Sequence, residues 1–171
     1  PELDSEWDER GIDGVYRFLS RFYNLANTSL EANVPETPEM LKLRHKLIRD
    51  ITRRLETFSL NTVISGFMEY NNKLNDMAKT TGGIDKDTME AFIRLLAPFA
   101  PHIAEEMWQA YGHEESVFDP KFGWPEYDEA LCKDDEIEIG VQVNGKVRAT
   151  ILLPVDADQE SALAKAKEAI A

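Results

Sequence analysis

Two prolines three residues apart, in Leu95-Leu-Ala-Pro-Phe-Ala-Pro-His-Ile-Ala-Glu-Glu-Met-Trp108, constrain the fold of this chain more than any other feature. Proline has no N–H to donate, and its ring clashes with the carbonyl one turn back. A helix carrying Met89, Phe92, Leu95 and Leu96 must therefore stop near Leu96, ahead of Pro98. In a first turn the missing N–H costs nothing, so Pro101 opens a new helix that buries Ile103, Ala104, Met107 and Trp108 and ends at Gly112. The string predicts two short helices meeting at a corner.

The preceding segments repeat the helical period. Ser5 with Asp8 three residues on is a helix start, and Ile12, Val15, Phe18, Leu19, Phe22, Leu25 and Ala26 then share a face. Gly11 and Gly14 weaken the first turns. Residues 28–38 read as a turn-rich connection. Thr37-Pro38-Glu39 supplies a capping hydroxyl, a first-turn proline and an acid facing the helix dipole. The helix it opens buries Met40, Leu43, Leu47, Ile51 and Leu55, and Lys42, Lys46, Arg49 and Arg53 form a stripe away from that face. A third helix over residues 61–79 turns Val63, Ile64, Phe67, Tyr70, Leu74 and Met77 inward, and Gly82-Gly83 ends it. Asp87 is the expected cap of the fourth. Four or five amphipathic helices with short connections predict a mainly α fold, a helical bundle over residues 1–112.

Residues 113–136 mix acids with Phe118, Phe122, Trp124 and Tyr127 and read as a linker. Beyond it the apolar period becomes two, with Ile137, Ile139 and Val141 before Asn144-Gly145 and Val147, Ala149 and Ile151 after it. A two-residue turn would set Val143 opposite Lys146 and Val141 opposite Arg148. A three-residue loop, Val143-Asn144-Gly145, pairs Val141 with Val147, Ile139 with Ala149 and Ile137 with Ile151, with Gly145 left-handed in a bulge, and is the predicted form. Gln142, Lys146 and Arg148 then share the opposite face. Asp156 or Asp158 caps a last helix over 158–170 whose Leu163, Ala166 and Ile170 are spaced for packing. A hairpin (137–153) and one helix make a partial α+β module over 137–171. Because two strands alone are marginal, strands beyond Ala171 are expected to complete it, and the uncovered edges invite hairpin exchange between copies.

The net charge of −13 opposes strong autonomous binding to nucleic acid, whose affinity rests on phosphate contacts. The sum conceals an asymmetry. Residues 41–54 hold six cations against Asp50 alone, whereas 102–139 hold twelve acids against Lys121 and Lys133. The lone Cys132 has no second thiol for a disulfide or a metal and reads as a reduced thiol of a cytoplasmic protein. No apolar run approaches the roughly 20 residues that span a bilayer, and no signal peptide opens the chain. Glu105 and Glu106, about 100° apart on a helix, cannot converge on one proton or metal. His45, His102 and His113 lack partners at ligand spacing, so no metal site is expected; His102, in a first turn, reads as a packing or capping side chain. No Gly-x-Ser-x-Gly turn or phosphate-cradling glycine loop occurs, so no catalytic residue is expected either. Two features could touch RNA: the stripe Lys42, Lys46, Arg49, Arg53, and the hairpin tip with Lys146 and Arg148. A solvated helix face and an aggregation-resistant edge explain the same residues. Trp124 or Tyr127 could stack on an exposed base, or pack the loop.

Taken together, Leu95–Trp108, Val141-Gln-Val-Asn-Gly-Lys-Val-Arg148, Gly14-Val-Tyr-Arg-Phe-Leu-Ser-Arg-Phe-Tyr-Asn-Leu25 and Asn61-Thr-Val-Ile resemble the C-terminal part of bacterial leucyl-tRNA synthetases. The proline string is shared by the class I group; the other strings look leucyl, and the likeness covers nearly the whole chain. The resemblance implies a tRNA-docking helical bundle followed by the start of a C-terminal domain. The parent enzyme would activate leucine with ATP and Mg²⁺, charge tRNA-Leu and hydrolyse mischarged products. This chain carries neither the HIGH-type nor the KMSKS-type signature, so it implies no catalysis and no cofactor here. Its partners would be the tRNA-Leu backbone and the catalytic and editing domains of the same polypeptide, with no membrane. Backbone docking needs cations that neutralise phosphates without reading bases. The residues so implied are Arg17, Arg21, Lys42, Lys46, Arg49, Arg53, Lys146 and Arg148. An isoleucyl or valyl relative, or a helical protein-interaction module without an RNA role, is the alternative.

Overall fold

The computed structural model describes residues 9–133, 136–143, 146–154 and 157–169. It forms two compact units, Pro1–Cys132 and Lys133–Ala171. The first contains α1 (Glu9–Ala32), α2 (Pro38–Glu56), α3 (Leu60–Thr81), α4 (Lys86–Leu96) and α5 (Pro101–Ala110). The second contains β1 (Glu136–Val143), β2 (Lys146–Pro154) and α6 (Gln159–Glu168).

In the helical unit the predicted faces meet. α1 packs on α3, α4 and α5, and α2 packs on α3 and α4. At the centre Phe92 lies 4.9 Å edge-on from Phe22 and 5.6 Å from the stacked ring of Phe67, which in turn meets Phe99. Pro98 ends α4 and Pro101 opens α5 as the sequence requires. Thr37 Oγ1 accepts from Met40 N–H at the start of α2.

Three expectations change, and one falls where the structure gives no description. Ser5 and Asp8, the expected start of α1, lie outside the described residues. Ile12 and Val15 are half-exposed, because burial on α1 begins only at Phe18. Residues 28–32 are helix rather than turn: Ser29 is buried, and its hydroxyl accepts the Ile84 N–H at 3.0 Å, so α1 continues until Asn33 turns left-handed at φ 45°. The cap of α4 is Asp85, whose carboxylate accepts Thr88 N–H at 2.9 Å, while Asp87 faces solvent in the first turn.

The acidic stretch after α5 is, through Cys132, part of the bundle rather than a free connection. Val117 and Cys132 are buried, and Phe122 and Tyr127 pack on the core. Glu105 holds its start by accepting from the Ser116 hydroxyl and Val117 N–H. His113 stacks on Trp108 at 3.6 Å and bonds Glu90, and Arg94 donates to the carbonyls of Phe122 and Gly123.

The hairpin departs from the expected register. Val143 pairs with Lys146, and the register shifts between Val141 and Gln142, so Val141 meets Ala149, Ile139 meets Ile151 and Ile137 meets Leu153. The extra residue on β2 is Arg148. A bulge at that point restores the apolar-to-apolar pairing that the Val143–Lys146 register alone would break. Asn144 and Gly145, including the left-handed glycine expected there, lie outside the described residues, as does Asp156. Asp158 caps α6 by accepting Ser161 N–H at 2.8 Å, and Leu163 stays half-exposed.

Candidate nucleic-acid interface

Helical spacing aligns Lys42, Lys46, Arg49 and Arg53 on α2, but the surface is not bare. The segment from Trp124 to Glu129 runs along it. Trp124 Nε1 donates to Thr52 Oγ1 at 2.9 Å, and Asp128 N–H donates to His45 Nδ1 at 2.9 Å. That bond needs an unprotonated Nδ1, and burial together with the neighbouring Arg44 pushes the His45 pKa down. Arg53 Nη2 then reaches both oxygens of Glu129 at 3.2 and 3.4 Å, and Arg49 Nη1 stands 3.8 Å from the same carboxylate. Two guanidiniums one turn apart thus share one anion. Lys42 and Lys46 also have partners of their own.

Beneath this face Asp50 accepts from Arg49 Nε at 2.9 Å and from the buried Tyr70 hydroxyl at 2.5 Å. Burial alone would raise the Asp50 pKa; the Tyr70 and Arg49 bonds outweigh it and hold the carboxyl low, while burial and Asp50 push the Tyr70 pKa up. The folded carboxyl therefore titrates below its unfolded value of about 3.9. Its contribution is complete above that value and fades as pH falls through the folded one. Tyr70→Phe should remove about 1 kcal/mol at neutral pH and flatten the acid limb of a stability–pH curve below about pH 4, checked by urea midpoints from pH 7 to pH 2.5.

The other cations divide by task. Arg44 is drawn to Glu36 at 2.7 Å and Asp85 at 3.6 Å. Arg54 Nη1 donates to Thr62 carbonyl at 2.6 Å and Nη2 reaches Glu69, lying across Gly66 where any side chain would overlap it. Arg17 and Arg21 form a separate, exposed pair lining a depression of about 390 Å³ with Phe18, Met68, Asn71 and Asn72; Arg21 donates to Asn72 Oδ1 at 2.8 Å. Arg148 is exposed on the hairpin unit, and the Lys146 side chain lies outside the described residues. The structure thus gathers the α2 stripe, pairs Arg17 with Arg21 and leaves the hairpin cations on a unit of their own. Sequence reasoning missed the parts played by Glu129, His45 and Tyr70. Glu129 comes from a distant segment without period, Tyr70 reads from its spacing only as a core residue of α3, and His45, on α2 itself, has no partner at ligand spacing. Only the opposed charges of residues 41–54 and 102–139 hinted at the contact. Among the described residues no group of three His, Cys, Asp or Glu could hold a metal, and no helix is long and apolar enough to cross a membrane.

The family model described as the anticodon-binding domain of tRNA ligase matches residues 38–163. The leucine–tRNA ligase of Fervidobacterium nodosum is 40% identical over 184 residues, covering 98% of this chain and 22% of that protein. That of Phocaeicola vulgatus is 41% identical over 164 residues, covering 94% and 17%. The crystal structure of the ternary complex of Agrobacterium radiobacter K84 agnB2 LeuRS with tRNA and LeuAMS superposes with a TM-score of 0.73 at 26% identity, over 94% of this chain and 23% of that one. The chain spans about a fifth of the length of these relatives. With an aligned row of cations on a five-helix bundle and a model match across most of its length, the chain belongs to the anticodon-binding domain family of tRNA ligases.

Proposed function

We propose that this chain is the tRNA-docking part of a leucine–tRNA ligase, the enzyme that charges tRNA-Leu with leucine at the expense of ATP. Catalysis and editing, with their ATP and Mg²⁺, belong to other parts of that polypeptide, which works in the cytoplasm. The present chain supplies cations to the tRNA backbone: Arg17 and Arg21 on α1, Lys42, Lys46, Arg49 and Arg53 on α2, and Lys146 and Arg148 on the hairpin. The identity to leucine–tRNA ligases from two different organisms supports the leucine assignment over a sister specificity.

One observation carries the docking role: Arg49 and Arg53 close on a single carboxylate, that of Glu129. A pair of guanidiniums that holds two anionic oxygens is shaped for a phosphate as well. Glu129 then occupies the site until RNA displaces it, which keeps the cations oriented at a modest cost in affinity. Glu129→Gln in the full-length ligase should lower the KM for tRNA-Leu about threefold, within the range of a surface ion pair. Leucine-dependent pyrophosphate exchange, which needs no tRNA, should not change. An unchanged or higher KM for tRNA would contradict the displacement, and failure of the full-length protein to charge tRNA-Leu would contradict the assignment itself.

A further inference from the structure

The α2–α3 turn carries a feature that packing does not account for. Phe58 has φ 53° and its residue is 61% exposed. An aromatic side chain at positive φ is a genuine backbone outlier, and glycine is the residue that such a position favours. The surrounding bonds identify the motif. Phe58 N–H donates to Leu55 carbonyl at 2.8 Å and Ser59 N–H to Arg54 carbonyl at 3.1 Å, the two reverse bonds that close a helix with a left-handed residue after its cap. Glycine would close it without strain and without exposing an apolar ring. The chain instead spends both on a phenylalanine.

The turn around the ring is held by several hydrogen bonds. The Thr57 hydroxyl donates to Arg54 carbonyl at 3.0 Å and lies 3.2 Å from Ser59 Oγ, and Arg54 pins the first turn of α3 through Thr62. The turn follows directly on α2, the helix that carries the cation stripe, and its backbone bonds end on the carbonyls of Arg53, Leu55 and Arg54 in the last turn of that helix. A solvent-facing aromatic on the turn that ends the cation-bearing helix combines the two elements that hold single-stranded nucleic acid, charge for the backbone and a π-face for a base.

We infer that Phe58 is a stacking platform for an unpaired nucleobase of the docked RNA, an inference that rests on the tRNA-docking role above. Strain and exposure are tolerated in the free protein because the ring is already aimed outward when the RNA arrives. Contact with the ring adds affinity through a base face of any identity, so it fixes the position of the RNA rather than reading its sequence.

The experiment compares Phe58→Gly, Phe58→Leu and Phe58→Trp in the full-length ligase, measuring thermal midpoint, tRNA-Leu dissociation constant and pyrophosphate exchange. Glycine suits the left-handed site, so its midpoint should equal or exceed that of the parent. Its tRNA affinity should nevertheless fall roughly tenfold, within the range measured for loss of one base–aromatic stack. Leucine should bind as weakly as glycine, tryptophan within about twofold of the parent, and exchange should be unaffected in all three. Full tRNA affinity in the leucine variant would overturn the stack in favour of a plain apolar contact. Full affinity in the glycine variant would remove the ring from the interface, as would a loss of exchange, which would assign the side chain to the enzyme body. A lowered glycine midpoint would overturn the claim that the ring is kept against the interest of the fold. Arg49→Glu with Arg53→Glu, run alongside, separates the two ideas: if that variant loses tRNA and the glycine variant does not, docking stands and the stacking platform falls.

Discussion

Truncation of Phe92 to alanine should destabilise the bundle by about 4 kcal/mol, the usual cost of deleting a fully buried aromatic side chain. The ring is completely buried and is the shared neighbour of Phe22 and Phe67, so it ties α1 and α3 to α4. Removing it leaves a cavity bordered by rings that cannot collapse far without tilting three helices. Domains of this size are stable by only about 5–15 kcal/mol, so the variant should unfold at a much lower urea midpoint with its m-value unchanged. Phe92→Leu keeps most of the volume and should cost about 1–1.5 kcal/mol. Equal losses in the two variants would mean that ring geometry, rather than space filling, dominates at this position.

Reversal of Arg49 and Arg53 to glutamate should raise the KM for tRNA-Leu of the full-length ligase about thirtyfold while leaving pyrophosphate exchange intact. On the proposed docking role, loss of two phosphate contacts accounts for part of this, and like-charge repulsion from the new carboxylates and Glu129 for the rest. The same reversal breaks the ion pairs that hold the 124–129 segment, so a structural effect must be separated from a binding effect. Arg53→Glu combined with Glu129→Arg restores an ion pair of opposite polarity. That variant should recover the parent's urea midpoint without recovering the KM for tRNA. Recovery of both would assign Arg53 to the fold alone.

The bundle was legible because its signals are local. Thr37-Pro38-Glu39, Gly82 and the Pro98–Pro101 corner each fix a helix end through neighbours within four residues, and the structure places those ends accordingly. Where a tertiary contact competes with a local signal, the local reading fails. Ser29 extends α1 through a bond to Ile84, 55 residues away, and Asp85 rather than Asp87 caps α4 because it is the acid buried beside Arg44. The hairpin shows a second kind of error, in which the parity of the apolar pairs was read rightly but assigned to the loop instead of to a bulge at Arg148.

The candidate interface was legible only as a row of cations. Spacing on α2 gave the alignment of Lys42, Lys46, Arg49 and Arg53, since helical period alone determines it. What occupies that row was not legible, because Glu129 and Asp128 come from a segment with no period, more than 70 residues away in sequence. Spacing did leave Arg44 and Arg54 out of the row, and both serve the fold, whereas Arg49 and Arg53 share the anion site.

The salt dependence of tRNA binding tests most directly whether these guanidiniums meet phosphates. The dissociation constant of the full-length ligase for tRNA-Leu, measured from about 50 to 300 mM salt, should give a steep line on logarithmic axes. Arg49→Gln with Arg53→Gln should reduce that slope by roughly 1.5, the release of counterions from two phosphates. Parallel lines for parent and variant would contradict the account, because they would mean that these two cations neutralise nothing on the RNA.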